Sequence, residues 1–112
     1  MATYTGHAIG NVANGVNSYV AAGSYSNTWN FASQTGQVTI SNFDGQTYTG
    51  QTALRTGTVN FTGPITGGAR SGTLNGSFFQ SPTDPIKGQG GNFAVTGPSN
   101  YKAGGTFAAQ KP

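Results

Sequence analysis

This 112-residue sequence predicts an all-β fold: a small closed barrel of eight antiparallel strands in up-and-down order, its interior filled with aromatic rings. Three observations lead there. The residue inventory favours strands, with 16 Thr, 5 Tyr and 7 Phe against two Leu, one Met and no Glu, so the strong helix formers other than Ala are nearly absent. Apolar and polar residues alternate with a period of two, as a half-buried strand requires. Turn signals rich in Gly, Asn, Asp and Pro recur at short spacing, and short connections join antiparallel neighbours, because a parallel pair needs a crossover of about 12 residues or more.

Each strand follows in order. The first is placed over residues 3–11 and ends before Asn14-Gly15. The second, 19–32, shows the clearest alternation: Tyr25, Trp29 and Phe31 fall on odd positions, Ser24, Ser26, Thr28 and Asn30 on even ones. Thr35-Gly36 opens the third, 36–43, in which Val38 and Ile40 flank Thr39, and Asp44-Gly45 closes it. The fourth is 46–50, ending at Gly50, and the fifth, 57–62, carries Val59 and Phe61 before a turn at Gly63-Pro64. The sixth, 70–80, follows Gly67-Gly68 and bears Leu74, Gly76 and Phe78; Phe79 sits on the opposite parity and predicts a bulge or an edge. Ser81-Pro82 and Asp84-Pro85 separate it from the seventh, 87–97, with Phe93 and Val95. Gly97-Pro98 leads to the last, 102–110, with Phe107.

Closure follows from what the strands lack. An open meander leaves two edges, and these strands carry almost no Lys, Glu or Pro to block edge pairing. Glycines inside strands, among them Gly6, Gly10, Gly76, Gly91 and Gly105, suit the sharp coiling of a small barrel. The expected interior is Tyr25, Trp29, Phe31, Val38, Ile40, Val59, Phe61, Leu74, Phe78, Phe93, Val95 and Phe107, which leaves little room for cargo. Fragments echo one another, as in Gly90-Gly-Asn-Phe-Ala94 and Gly104-Gly-Thr-Phe-Ala108, but without a common period, so they read as neighbouring strands rather than a repeat array. The whole chain, 1–112, is one domain.

Composition removes most chemistry. The net charge of +3 arises from Arg55, Arg70, Lys87, Lys102 and Lys111 against Asp44 and Asp84, a scatter that offers no stripe for tracking phosphates, so no nucleic-acid partner is expected. With no Cys there is no disulfide, thiolate or cysteine-based metal site. No run approaches the ~18 apolar residues of a spanning helix, and the first residues lack the basic and apolar regions of a signal peptide. Asp44 and Asp84, the sole carboxylate pair, fall at opposite barrel ends, where each caps its own turn. His7 is the only His and reads as a strand residue, not a general base; in a haem-carrier reading it would be the axial ligand. Neither glycine-rich stretch, 67–72 or 88–91, ends in the Lys-Ser/Thr of a phosphate loop. No catalytic residue, metal or cofactor is expected.

The order Gly72-Thr-Leu-Asn-Gly-Ser-Phe-Phe79, then Gly90-Gly-Asn-Phe-Ala94, then Tyr101-Lys-Ala-Gly-Gly-Thr-Phe-Ala-Ala109 resembles the eight-stranded barrel shared by transferrin-binding protein B, factor H-binding protein and related bacterial surface proteins, over roughly residues 36–112. The resemblance implies a barrel that scaffolds loops, with no catalytic residue to carry over. It also implies a cell-surface or periplasmic setting in a Gram-negative bacterium, and a domain excised from the C-terminal end of a longer exported protein. The lipid-anchoring Cys of the surface lipoproteins is not in this sequence, so no particular ligand is carried over.

Strand order assigns loops to two ends: 12–18, 44–45, 63–69 and 98–101 at one, 33–35, 51–56 and 81–86 at the other. Binding would live there. The first end offers Asn14, Asn17, Tyr101 and Arg70; the second offers Arg55 and Lys87. The leading expectation is a non-enzymatic module that binds another protein or another domain of its parent chain. The alternatives are a small carrier of haem or another apolar, solute-like ligand, and a lectin-like module whose Asn and Tyr side chains make adaptable hydrogen bonds to sugar.

Overall fold

Alternating rings and hydroxyls are both satisfied when every second side chain of each strand faces one enclosed axis. The computed structural model describes residues 2–84 and 87–111, and over them the chain forms β1 (Ala2–Asn14), β2 (Asn17–Asn30), β3 (Thr35–Phe43), β4 (Gln46–Leu54), β5 (Asn60–Gly67), β6 (Arg70–Phe79), β7 (Gly88–Gly97) and β8 (Tyr101–Gln110). Every neighbour is antiparallel, and β8 returns to β1 through a ladder running from Thr5↔Gln110 to Asn14↔Tyr101, so the barrel closes in sequence order. Loops divide between two ends as expected: the β1–β2, β3–β4, β5–β6 and β7–β8 turns at one, the longer β2–β3, β4–β5 and β6–β7 connections at the other. The Asp84-Pro85 turn lies partly outside the described residues.

The interior is filled along its length. At the β2–β3 end Trp29 meets Phe78 edge-on at 5.0 Å and Phe61 at 5.4 Å, with Tyr4 5.6 Å from Phe78. In the middle Tyr25 stacks on Phe107 at 4.3 Å, and toward the other end Phe43 meets Phe93 at 5.1 Å. Such ring pairs add to the burial term. Val38, Ile40, Ile65, Leu74 and Val95 complete the core. Gly36 exists as Gly because a Cβ there would lie 2.3 Å from the Trp29 ring.

Several expectations are corrected. Val59 is 59% exposed and precedes β5, because the fifth strand is shifted: the expected turn at Gly63-Pro64 is mid-strand, and the chain turns at Gly68-Ala69 instead. Pro64 is tolerated because the β4–β5 ladder is sparse, with Thr49↔Thr66 at one end, Ala53↔Thr62 and Leu54↔Phe61 at the other, and no partnered rungs between. Phe31 lies past β2 and is only partly buried against the core. The fourth strand runs on to Leu54, carrying the buried Thr52. Phe79 marks no bulge; the β6–β7 register continues to Phe79↔Gly88, and its ring lies outside over Gly90. The register break falls between Ile40 and Phe43, where Asn42 adopts φ 58°. Interior positions missed from sequence include Tyr4, Ala8, Val12, Phe43, Tyr48, Ile65, Tyr101 and Ala103.

Candidate functional site

The β3 irregularity steers the β3–β4 turn across the barrel end, and with it Asp44, which precedes Gly45 in a tight turn with positive φ at both residues. Asp44 does not cap its own turn as expected. Its Oδ2 accepts the hydroxyls of Tyr101 at 2.7 Å and Tyr19 at 2.9 Å. The Arg70 guanidinium stands 3.9 Å from the same oxygen, donates to the Asp44 carbonyl at 3.4 Å and lies 3.7 Å over the Tyr101 ring. One carboxylate thus ties β2, β6, β8 and the β3–β4 turn together. Burial pushes the Tyr101 phenol above its ordinary range, and its hydrogen bond to the Asp44 anion pushes further in the same direction. Burial alone would lower Arg70; Tyr48, Tyr101 and Asp44 outweigh it and raise the guanidinium. With Oδ2 engaged by two hydroxyls and the Tyr101 phenol held protonated, this cluster is a clamp rather than an acid–base pair.

Of the sequence-predicted rim residues, Arg70 and Tyr101 are brought together. Tyr101 is not a loop residue but the first residue of β8, 3% exposed, because its ring closes the barrel end beneath Arg70. Asn14 and Asn17 are exposed, face each other across the β1–β2 turn, and Asn14 also stands opposite Tyr101. At the other end Lys87 donates to the Lys111 carbonyl at 2.7 Å, and Lys111 forms an ion pair with Asp84 at 2.7 Å. Arg55 borders a shallow outer groove over β5–β7. There Ser77 donates to Asn60 Oδ1 and Thr62 to Asn75 Oδ1, each at 2.6 Å, in a groove that Asn92 also lines. His7 is exposed on the outer wall between Ser24 and Ala108, so it cannot ligate anything along the barrel axis.

Sequence reasoning missed a polar trio inside the barrel. The Tyr25 hydroxyl donates to Gln89 Oε1 at 2.9 Å, and Asn27 Nδ2 reaches the same oxygen and the Tyr25 oxygen at 3.2 Å. All three residues are buried, and burial raises the Tyr25 phenol strongly. The odd parity of Asn27 between Tyr25 and Trp29 was the available signal. Among the described residues no group of three or more His, Cys, Asp or Glu could hold a metal ion, and no helix is long and apolar enough to cross a membrane.

No protein-family model matches the chain, and no curated protein sequence does. Solved structures do. The barrel superposes on transferrin-binding protein B from serogroup B Neisseria meningitidis with a TM-score of 0.73 and 18% identity, covering 99% of this chain and 25% of that one. A variant of the vaccine antigen transferrin-binding protein B from Haemophilus parasuis Hp5 gives a TM-score of 0.73 and 18% identity over 98% of this chain and 26% of that one. The chain spans about a quarter of the length of these structures. It has the fold of a transferrin-binding protein B barrel.

Proposed function

We propose that this chain is a non-enzymatic β-barrel binding or scaffold module of a Gram-negative surface or periplasmic protein, presenting its end loops to another protein or to a further domain of its parent. The observation that carries this reading is the ring-filled axis: a ligand must meet the barrel at its ends or outer wall. The Asp44 clamp, whose Oδ2 accepts two hydroxyls, and the exposed His7 support a role without chemistry, and the fold is that of a barrel in proteins named for binding transferrin. The test is biosensor binding of the immobilised chain to transferrin and a panel of host surface and serum proteins. Binding weakened by Asn14→Ala with Asn17→Ala, or by Arg55→Ala with Lys87→Ala, supports the reading and identifies the end used. Stoichiometric haemin binding that quenches Trp29 and is lost in His7→Ala, with no protein bound, would replace it by a carrier.

A second reading, a lectin-like module, draws on the β5–β7 groove, where cross-strand hydroxyls hold the exposed Asn60 and Asn75 side chains. Retention on a glycan array that is lost in Asn60→Ala with Asn75→Ala would favour it.

A further inference from the structure

The β2–β3 ladder begins only at Ser24↔Ser41, although β2 itself starts at Asn17. Beyond Ser41 the β3 irregularity turns the chain inward to place Phe43 in the core and Asp44 under Tyr19, so the segment Asn17–Ala22 has a ladder partner only on its β1 side. Asn14 and Asn17 close the Gly15-Val16 turn, which aims the backbone groups of Tyr19 and Ala21 at β1 and those of Ser18, Val20 and Ala22 outward. The segment contains no charge and no Pro, the residues that protect natural edges. It also carries exposed apolar side chains: Val20 is 65% exposed, with Ile9 at 55% on the adjoining strand and Val16 fully exposed at the turn.

We propose that this edge pairs with the same edge of a second copy of the chain, antiparallel about a two-fold axis at Val20. The β3 backbone at Ser41 and Phe43 lies against Gly23, so the open span is Asn17–Ala22; its outward backbone groups are those of Ser18, Val20 and Ala22, and Val20 is the middle one. A two-fold there sets Val20 against Val20, Tyr19 against Ala21 and Ser18 against Ala22 of the other copy. Each turn then stops where the opposite β3 begins. Any other register overruns onto β3 or leaves outward groups unpaired. The pairing sets small Ala21 opposite large Tyr19 on the inner face and joins Val20 and Ile9 of both copies into one apolar strip on the outer face. Charge neutrality across the edge removes the repulsion that usually opposes self-pairing.

So short a ladder falls below the ~1,200–2,000 Å² of a stable interface, and the expected dissociation constant is about 10⁻⁵–10⁻³ M. Sedimentation equilibrium of the full chain over rising concentration should show monomer and dimer, and Val20→Lys should weaken association at least ~10-fold. The chain has no Cys, so Val20→Cys under oxidation reports the pairing directly: it should form a covalent dimer far faster than Thr28→Cys, an outward β2 position already paired with Gln37 of β3. A monomer at every concentration with no preference for Val20→Cys overturns the proposal, as does a dimer indifferent to Val20→Lys. Capture of a foreign β-strand peptide at this edge without self-association also overturns it. None of these outcomes depends on whether the end loops bind a protein.

Discussion

The Tyr101 hydroxyl reaches Asp44 Oδ2 at 2.7 Å, joining the first residue of the closing strand to the turn between β3 and β4. The two residues are far apart in sequence, and their bond pins the barrel end that carries Asn14 and Asn17. Removing the hydroxyl leaves the carboxylate with Tyr19 and Arg70, whereas removing the carboxylate strands a buried phenol and a cation. Tyr101→Phe is therefore expected to cost about 1–2 kcal/mol and Asp44→Ala more, about 2–3 kcal/mol, read as urea midpoints with an unchanged slope.

Stability should fall at alkaline pH. Burial, then the charge of Asp84, raises Tyr4 to about 12 from 10.0, and the Tyr25 and Tyr101 phenols are raised as well. A phenol with a higher pKa folded than unfolded contributes stability in full below pH ~10, the unfolded value, and loses it as pH climbs through the folded value, because the folded state then holds more protons. Urea unfolding from pH 8 upward should be flat to about 10 and then decline, and Tyr101→Phe should make that decline shallower.

The Tyr25–Asn27–Gln89 trio should behave as a unit. Gln89→Leu removes the oxygen that both Tyr25 and Asn27 donate to, and is expected to cost about 2–4 kcal/mol. Tyr25→Phe combined with Gln89→Leu should cost less than the two separately by at least ~0.5 kcal/mol, a coupling measurable in a double-mutant cycle.

Gly36→Ala should be costly where Gly15→Ala is nearly free of contact penalty. A Cβ at Gly36 would lie 2.3 Å from both the Trp29 ring and Asn27 Oδ1, while one at Gly15 meets nothing within 4 Å, leaving only the strain of φ +64°. The expected loss for Gly36→Ala is about 1–3 kcal/mol, with a shifted Trp29 emission that Gly15→Ala does not produce.

The seam between β4 and β5 should open first. Pro64 has no N–H to donate, and the rungs between Thr49↔Thr66 and Ala53↔Thr62 are missing. Hydrogen exchange at Gln51, the amide of this stretch that faces β5, should be at least ~10-fold faster than at Thr73–Asn75, which lie in the continuous β6–β7 ladder.

Eight strands and their order were legible because alternation and turn residues are local signals, and closure followed from the uncharged edges. Trp29, Ile40, Leu74 and Phe93 fell on the interior face because each sits in a clean period-two run. Val59 and Ile65 were misplaced for one reason: Gly63-Pro64 has the chemistry of a turn, yet its neighbours hold it within a strand. Tyr101 looked like a rim residue because it follows Gly97-Pro98-Ser-Asn, and nothing nearby in sequence announces that Asp44 and Arg70 will meet it.

By itself the sequence determined the fold class, the strand count, the direction of pairing and the division of loops between two ends, since these depend on residue spacing along the chain. Only the tertiary structure decided which polar groups meet: Asp44 with Tyr19, Tyr101 and Arg70, and Tyr25 with Asn27 and Gln89. It alone also decided that β2 outruns β3. Such meetings depend on how far each strand slides against the next as the barrel closes, and that stagger is set by packing across the axis rather than by any local pattern.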